Sequence, residues 1–511
     1  MALMVGVAVA IFVGYGTAVG ANVLVNKPQP IDANNSPTVA RNPARVDNLV
    51  MVHRVDRPRY SARIEFSFDG GATWTPGSLP LPPGADRPYG PDVAFGSDGT
   101  LYVVYVNLEG VGNTPANVWL SRSSDGGRSL SDPVRVAGRL AFQVRLAVDG
   151  RGTIYLSWLQ ATEVGVLRLG QPPNPIVLSR STDGGRTFSA PVVVSDPQRL
   201  RVGGASPVVD SAGRLEVLYE DFRDDRRDFE NLDGPVSEQP FSLVMARSDD
   251  GGGSFARGVV VEPGVVPTQR FVVFLPPAAS VAAGPGNALY VAWADGRNGD
   301  ADVLLRRSPD AGATWSAPVR VNDNRKGDGT SQYLPRVAVS PGGRVDVVFL
   351  DRRRDPANVN TDVYLASSHD QGRTFRNLVL TSHPFDSGIG PATPHGDRDL
   401  GDRLGLDSQG DATFAAWTDT RAASRDTGRQ DIAAAAVRRL PVWPVLVWPA
   451  VAGVAAVGVL WLVSRSRAGP GRPWPGRPWP GRPWWHRPPP QREQTLTATT
   501  GKDLAHVQTR S

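Results

Sequence analysis

The chain has 511 residues, 40% apolar and 21% charged, with 55 glycines and 46 prolines, which excludes collagen, a coiled coil and wholesale disorder and leaves apolar mass for a large core. The absence of cysteine excludes a disulfide framework, a thiolate metal site and a cysteine nucleophile. Net charge is only +5, nearly all cations are arginine, and carboxylates are interspersed among them, so no nucleic-acid surface is expected.

In chain order, residues 1–25 carry no charged side chain, and we assign residues 1–21 to a signal peptide or signal anchor. From there to residue 440 one unit recurs, marked by Ser-x-Asp-x-Gly-x-Thr/Ser-aromatic. Its aspartates are Asp69, Asp125, Asp183, Asp250, Asp310 and Asp370, and in the second copy Leu130 replaces the aromatic. Their separations of 56, 58, 67, 60 and 60 residues indicate stacked or radially repeated units. Each motif reads as a hairpin turn. The carboxylate accepts backbone N–H bonds, glycine supplies a positive φ, and the aromatic plugs the seam between neighbouring units.

Upstream of each motif lie runs of β-branched and aromatic residues such as Leu101-Tyr102-Val103-Val104-Tyr105 and Leu289-Tyr290-Val291-Ala292-Trp293. Counting these second strands gives seven units, near Leu49, Tyr102, Tyr155, Val217, Tyr290, Val347 and Phe414. The seventh stops after three strands, leaving an edge that a closed propeller must cover. Asn22-Val23-Leu24-Val25-Asn26 resembles the fourth strand Pro318-Val319-Arg320-Val321-Asn322 and is expected to fill it. If the units are arranged radially rather than stacked, the fold class is all-β, a seven-bladed β-propeller closed by its own N-terminal strand. Both chain ends should leave from the face bearing the aspartate turns.

Residues 441–464 are uncharged, with Trp443, Trp448 and Trp461 near the ends, and read as a C-terminal transmembrane helix. Five arginines flank each side of this span, so the positive-inside count does not orient it. Residues 465–511, with repeated Pro-Gly-Arg-Pro-Trp, read as a disordered Pro/Arg/Trp-rich tail.

The aspartate turns resemble the Asp box, or BNR repeat, of the sialidase-like β-propellers. That resemblance implies that the box aspartates are structural, that a ligand site lies on the opposite face, and that six blades is the alternative closure. With the two apolar segments it implies a membrane-anchored propeller outside the cytoplasm with a cytoplasmic tail. Partners would be the membrane through the C-terminal helix and a carbohydrate, in particular an acidic glycan.

Residues that break the repeat are candidates for function, because a single central site needs different groups from different blades. Aligning the innermost strands as Pro37-Thr38-Val39, Pro91-Asp92-Val93, Val144-Arg145-Leu146, Pro207-Val208-Val209, Pro335-Arg336-Val337 and Asp402-Arg403-Leu404 places Arg145, Arg336 and Arg403 around one channel mouth, facing Asp92. Three guanidiniums so placed would bind a carboxylate or sulfate. Sialidases hold a carboxylate with an arginine triad and use a tyrosine nucleophile paired with glutamate and an aspartate acid/base. The resemblance thus implies Asp92 as acid/base and a pair such as Tyr333 with Glu220; Tyr89, and Glu230 or Glu238, are alternatives. The first-blade Arg-Ile-Pro motif of that family is absent, and no glutamate occurs between Glu262 and Glu493. A non-catalytic propeller binding glycan or protein is the competing reading.

Aromatic-x-Asp-x-Arg recurs around Asp221, Asp295, Asp351 and Asp419 and reads as loop-fixing ion pairs. No cofactor is expected. The acidic loops at residues 221–230 and 381–407, the latter with His383, Asp386, His395, Asp397, Asp399 and Asp402, would suit only calcium or another divalent cation.

Overall fold

The computed structural model describes residues 14–442 except 163–173, 224–239, 269–277 and 392–399. These residues form seven antiparallel sheets in which consecutive strands are neighbours, which is the ring of seven blades expected from the repeat. Among the described residues, helix is limited to a single 3-10 turn at Pro285–Asn287.

Blade 1 shows the plan, with strands Asn34–Arg41, Leu49–Val55, Ser61–Ser67 and Thr75–Pro76 running from the central channel outwards. The second strands are buried on both faces, which is why they read as continuous apolar runs rather than alternating ones. Their side chains fill seven apolar clusters, one at each seam between adjacent blades. The core is therefore a ring of interfaces around the channel.

Blade 7 has three strands of its own, Gly405–Gln409, Ala412–Asp419 and Asp431–Val442. Val23–Leu24 completes it, Val23 pairing with Ala434 and Leu24 with Ala433, and Val25 N–H donates to the Ile432 carbonyl at 2.8 Å. Asn26 ends this strand by accepting from Ile432 N–H at 2.6 Å. The sheet also takes in Gly14–Val19, which lies inside the segment assigned to a signal or anchor, and runs two residues past the expected boundary at 440. The cause is the length of the third strand, whose 12 residues leave an edge at residues 437–442 that Gly14–Val19 covers. That strand starts with Asp431 opposite Asp419 and passes Ala412 at Arg438, so Val442 and its partner Gly14 extend from the Asp-box face. Residues 1–13, the apolar run from residue 443 and the tail lie outside the described residues. No described helix is long and apolar enough to cross a membrane.

All six aspartate turns share one geometry. Ser67 Oγ donates to Asp69 Oδ1 at 2.7 Å, and Thr73 donates to Asp69 from its N–H at 2.9 Å and its hydroxyl at 2.5 Å. The same bonds recur at Asp125, Asp183, Asp250, Asp310 and Asp370. The aromatic of five turns, and Leu130 in the second, packs into a seam, as where Trp74 lies 5.8 Å from the Phe414 ring of blade 7. Gly71 (φ +92°) is fixed by that approach, because a Cβ there would come within 2.3 Å of Phe414.

Candidate functional site

The channel mouth opposite the Asp boxes is shaped by a defect repeated in five blades. Strand pairing skips a step between Asn35 and Thr38, Tyr89 and Asp92, Phe142 and Arg145, Gly203 and Ser206, and Tyr333 and Arg336. Each bulge holds one residue in the left-handed region: Ser36, Gly90, Gln143, Gly204 and Leu334, with φ between 54° and 63°. A bulge re-aims side chains and leaves backbone groups unpaired. It also corrects two positions in the sequence alignment. Ser206 rather than Val208 is the blade-4 counterpart of Arg336, since Ser206 pairs with Leu218 as Arg336 does with Val348. In blade 7 the paired residue is Gly405, so Arg403 precedes the paired strand.

From that position Arg403 reaches across two blades, donating from Nε to the Ser36 carbonyl at 3.2 Å and from Nη2 to the Pro91 carbonyl at 2.7 Å. These are carbonyls that the bulges leave out of the ladder. Arg403 is 7% exposed, and its Nη1 has no hydrogen-bond partner. Burial first, then the nearby Arg145, lowers its pKa to about 10. Asp402 beside it meets three guanidiniums, with Arg145 Nη2 at 3.4 Å and Arg54 Nη1 at 3.8 Å from Oδ2, and Arg403 Nε at 3.9 Å from Oδ1. Burial would raise the Asp402 pKa, but Arg403, Arg54 and Arg145 outweigh it and hold the carboxyl well below the usual range. Asp92 accepts from Val93 N–H at 3.1 Å and, across the seam, from Leu146 N–H at 3.0 Å.

Arg336 differs from these. It is partly exposed in the channel and makes no hydrogen bond or ion pair among the described residues. Burial lowers its pKa; the charges nearest to it are Asp92, Arg403 and Asp402. Thr38 Oγ1, buried at the equivalent position of blade 1, is likewise unpartnered.

The structure therefore brings Arg145, Arg336, Arg403 and Asp92 to one place, and adds Arg54, which the sequence reading missed. Arg54 sits where other blades carry Leu159, Ala294 and Leu350, and a charge in an apolar slot was the available signal. It donates to Asn35 Oδ1 and to Asp56 Oδ2, both at 3.0 Å, and lies 5.3 Å from the Tyr89 ring. The Tyr89 hydroxyl donates to Asp56 Oδ1 at 3.0 Å. Among the described residues of this cluster four arginines (Arg54, Arg145, Arg336, Arg403) face three aspartates (Asp56, Asp92, Asp402).

Tyr333 and Glu220 do not join this group. Tyr333 is fully enclosed rather than exposed, because the bulge turns it into the seam between blades 6 and 7, where its hydroxyl meets Thr361 Oγ1 at 3.1 Å and Arg352 covers its ring. Glu220 accepts from Ala279 N–H at 3.3 Å across the seam to blade 5, and burial pushes its pKa up to about 8. Glu65 pairs with buried His53, and Glu262 with Arg297 and Arg306. Glu230 and Glu238 lie outside the described residues.

The rim ion pairs form as expected at Asp295–Arg297, Asp351–Arg353 and Asp419–Arg421. In the fourth copy Asp221 pairs with Arg199, while Arg223 turns to Ser242 and the Pro263 carbonyl. Among the described residues no group of three or more histidines and carboxylates could hold a metal ion. Most of the 221–230 loop, and His395, Asp397 and Asp399, lie outside them.

No protein-family model and no curated protein matches the chain. Solved structures with a similar fold include a protein of unknown function from Dyadobacter fermentans, 17% identical, covering 83% of this chain and 99% of that one with a TM-score of 0.47. A family PL25 ulvan lyase bound to a GlcA–Rha3S saccharide is 12% identical over 75% of this chain and 92% of its own, TM-score 0.43. The Hadza microbial sialidase Hz136 is 15% identical over 77% and 73%, TM-score 0.40. At such identities the likeness is one of fold.

Proposed function

We propose that this chain is a membrane-anchored, extracytoplasmic propeller that recognises an acidic glycan at the channel mouth. The observation that carries this is Arg336, a guanidinium uncommitted among the described residues, at a channel mouth where Arg403 Nη1 and Thr38 Oγ1 also lack a described partner and four described arginines face three described aspartates. Donors of this kind match the planar, bidentate acceptor geometry of a sugar carboxylate or sulfate. The resemblance of the Asp boxes to those of sialidase-like propellers points to glycan as the bearer of that group. The uncharged run at 441–464 supports the anchor, and the exit of Gly14 and Val442 on the Asp-box face would turn the channel mouth away from the bilayer.

A glycoside hydrolase is the second reading, favoured by the contact of Tyr89 with Asp56 beside Arg54. Binding is preferred, because Asp56 is already committed to hydrogen bonds from Asn35 and Arg54 as well as from Tyr89.

The test uses the full chain in detergent with sialyllactose and lactose. A charge-assisted contact predicts about tenfold or more tighter binding of the acidic sugar, with Arg336→Ala abolishing the difference. Equal affinities for the two sugars would remove the acidic-glycan reading, and turnover of a fluorogenic sialoside that depends on Tyr89 would replace binding by hydrolysis.

A further inference from the structure

The contacts of Asp402 are longer than a committed ion pair makes. Charge-assisted N–H···O bonds settle at about 2.7–2.9 Å, whereas the three guanidiniums stand 3.4, 3.8 and 3.9 Å from this carboxylate. Oδ1 has no hydrogen bond. The tether explains the gap: Asp402 N–H donates to Ser36 Oγ at 2.9 Å, fixing the backbone and limiting how far the short side chain can reach. The three arginines are held independently of Asp402, Arg54 by Asn35 and Asp56, Arg403 by the Ser36 and Pro91 carbonyls, and Arg145 by the Val144 carbonyl. They come from blades 1, 3 and 7 and converge on a carboxylate that is 19% exposed, more than any of the arginines around it.

We infer that Arg54, Arg145 and Arg403 form a latent carboxylate site which Asp402 occupies as a built-in, imperfectly seated ligand that a free carboxylate displaces. The inference deepens the reading of the channel mouth as an anion site and rests on it. It adds which arginines grip the ligand and what they grip in its absence. An untethered carboxylate reaches the three guanidiniums at shorter distance than Asp402, so occupancy of the mouth is a competition between ligand and Asp402.

The experiment is anion rescue, again on the full chain in detergent. Asp402→Ala removes the internal ligand. Its Tm should fall below that of the unaltered chain and rise by several degrees with sodium acetate, but not with sodium chloride at equal ionic strength, because a ligand bound only by the folded state stabilises it. Asp402→Asn, which keeps the side-chain volume, should respond less, and Arg145→Ala combined with Asp402→Ala should not respond. Should Asp402→Ala fail to fold, Asp402→Ser opens the same space. Equal effects of acetate and chloride, or an acetate response as large in the unaltered chain, would overturn the inference. Acetate rescue reads the three arginines without glycan. Loss of sialyllactose preference with rescue intact would therefore remove the glycan reading and leave the latent carboxylate site standing.

Discussion

On the face of the aspartate turns each aspartate receives the hydroxyl and backbone donors of its own turn. Burial opposes ionisation at Asp69 and Asp125, yet hydrogen bonds from Ser67 and Thr73, and from Ser123 and Ser129, hold both carboxyls down to about 2. At the channel mouth the same residue types are assembled from blades 1, 2, 3, 6 and 7, and among the described residues Arg336 is unpaired and Arg403 Nη1 and Thr38 Oγ1 have no partner. A repeated, locally satisfied group tells of structure. A group that occurs once, is assembled from several blades and is left incompletely satisfied is the kind of group on which the proposed ligand site rests.

The comparison is broken most severely at the closure on which both faces depend. Removing residues 1–26 takes away the strand Val23–Leu24 together with Val25 and Asn26, opens the seam holding Val39, Met51, Phe414 and Ile432, and leaves the Asp431–Val442 edge bare. Loss of a single cooperative unfolding transition by calorimetry is expected. Removal of residues 1–13 should leave the transition in place. A cooperative transition at unchanged Tm after the longer deletion would show that blade 7 closes without its N-terminal strand.

Within the Asp-box face, glycines separate steric demand from backbone preference. Gly71 and Gly213 have similar φ, +92° and +80°, but a Cβ at Gly71 meets the Phe414 ring while one at Gly213 meets nothing within 4 Å. Gly71→Ala should cost about 3 kcal/mol or more, combining left-handed strain with overpacking, and Gly213→Ala about 1 kcal/mol from strain alone. Urea midpoints of the two variants measure this, and equal losses would mean that the seam yields to the added methyl.

The frame of the molecule was legible because it is periodic. The spacing of the aspartate turns showed the period, the apolar second strands counted the blades, and the likeness of Asn22–Asn26 to Pro318–Asn322 found the closing strand: Asn322 accepts from Val303 N–H at 2.8 Å as Asn26 accepts from Ile432 N–H. Aromatic-x-Asp-x-Arg found the rim pairs for the same reason. The channel mouth was half legible. Arg145, Arg336, Arg403 and Asp92 stand out as charges at the starts of innermost strands. Arg54 and the role of Asp402 were not visible, because their contacts join blades 1, 3 and 7, and sequence order carries no measure of that proximity. The bulges hid more. The bulge at Leu334 hid the burial of Tyr333, and matching prolines misplaced Val208, because Pro207 follows Ser206, the counterpart of Arg336, whereas Pro335 precedes Arg336.

The smallest expected effect concerns two carboxylates that belong to neither face. Glu216 and Glu220 lie buried on Leu215–Asp221, and desolvation pushes both up to about 8. Neither Glu216 oxygen has a hydrogen-bond partner, and Glu220 has one, from Ala279 N–H. A folded-state pKa above the ordinary value of 4.5 means that the folded chain holds protons the unfolded chain has released. The stability from these groups is therefore fully present below about pH 4.5 and is lost as pH rises through about 8. The Asp boxes have the opposite sign, stabilising above the ordinary carboxylate range and failing only as pH falls towards 2. Glu220→Gln keeps an acceptor for Ala279 N–H and cannot ionise, so it should recover about 1 kcal/mol of the stability lost between pH 5 and pH 9, a fraction of what the full shift implies once relaxation at the ionised site is allowed for. Urea midpoints at the two pH values test it. An unchanged difference between them would place Glu220 ionised in the folded chain, and a buried charge between blades 4 and 5 would then need a counter-ion.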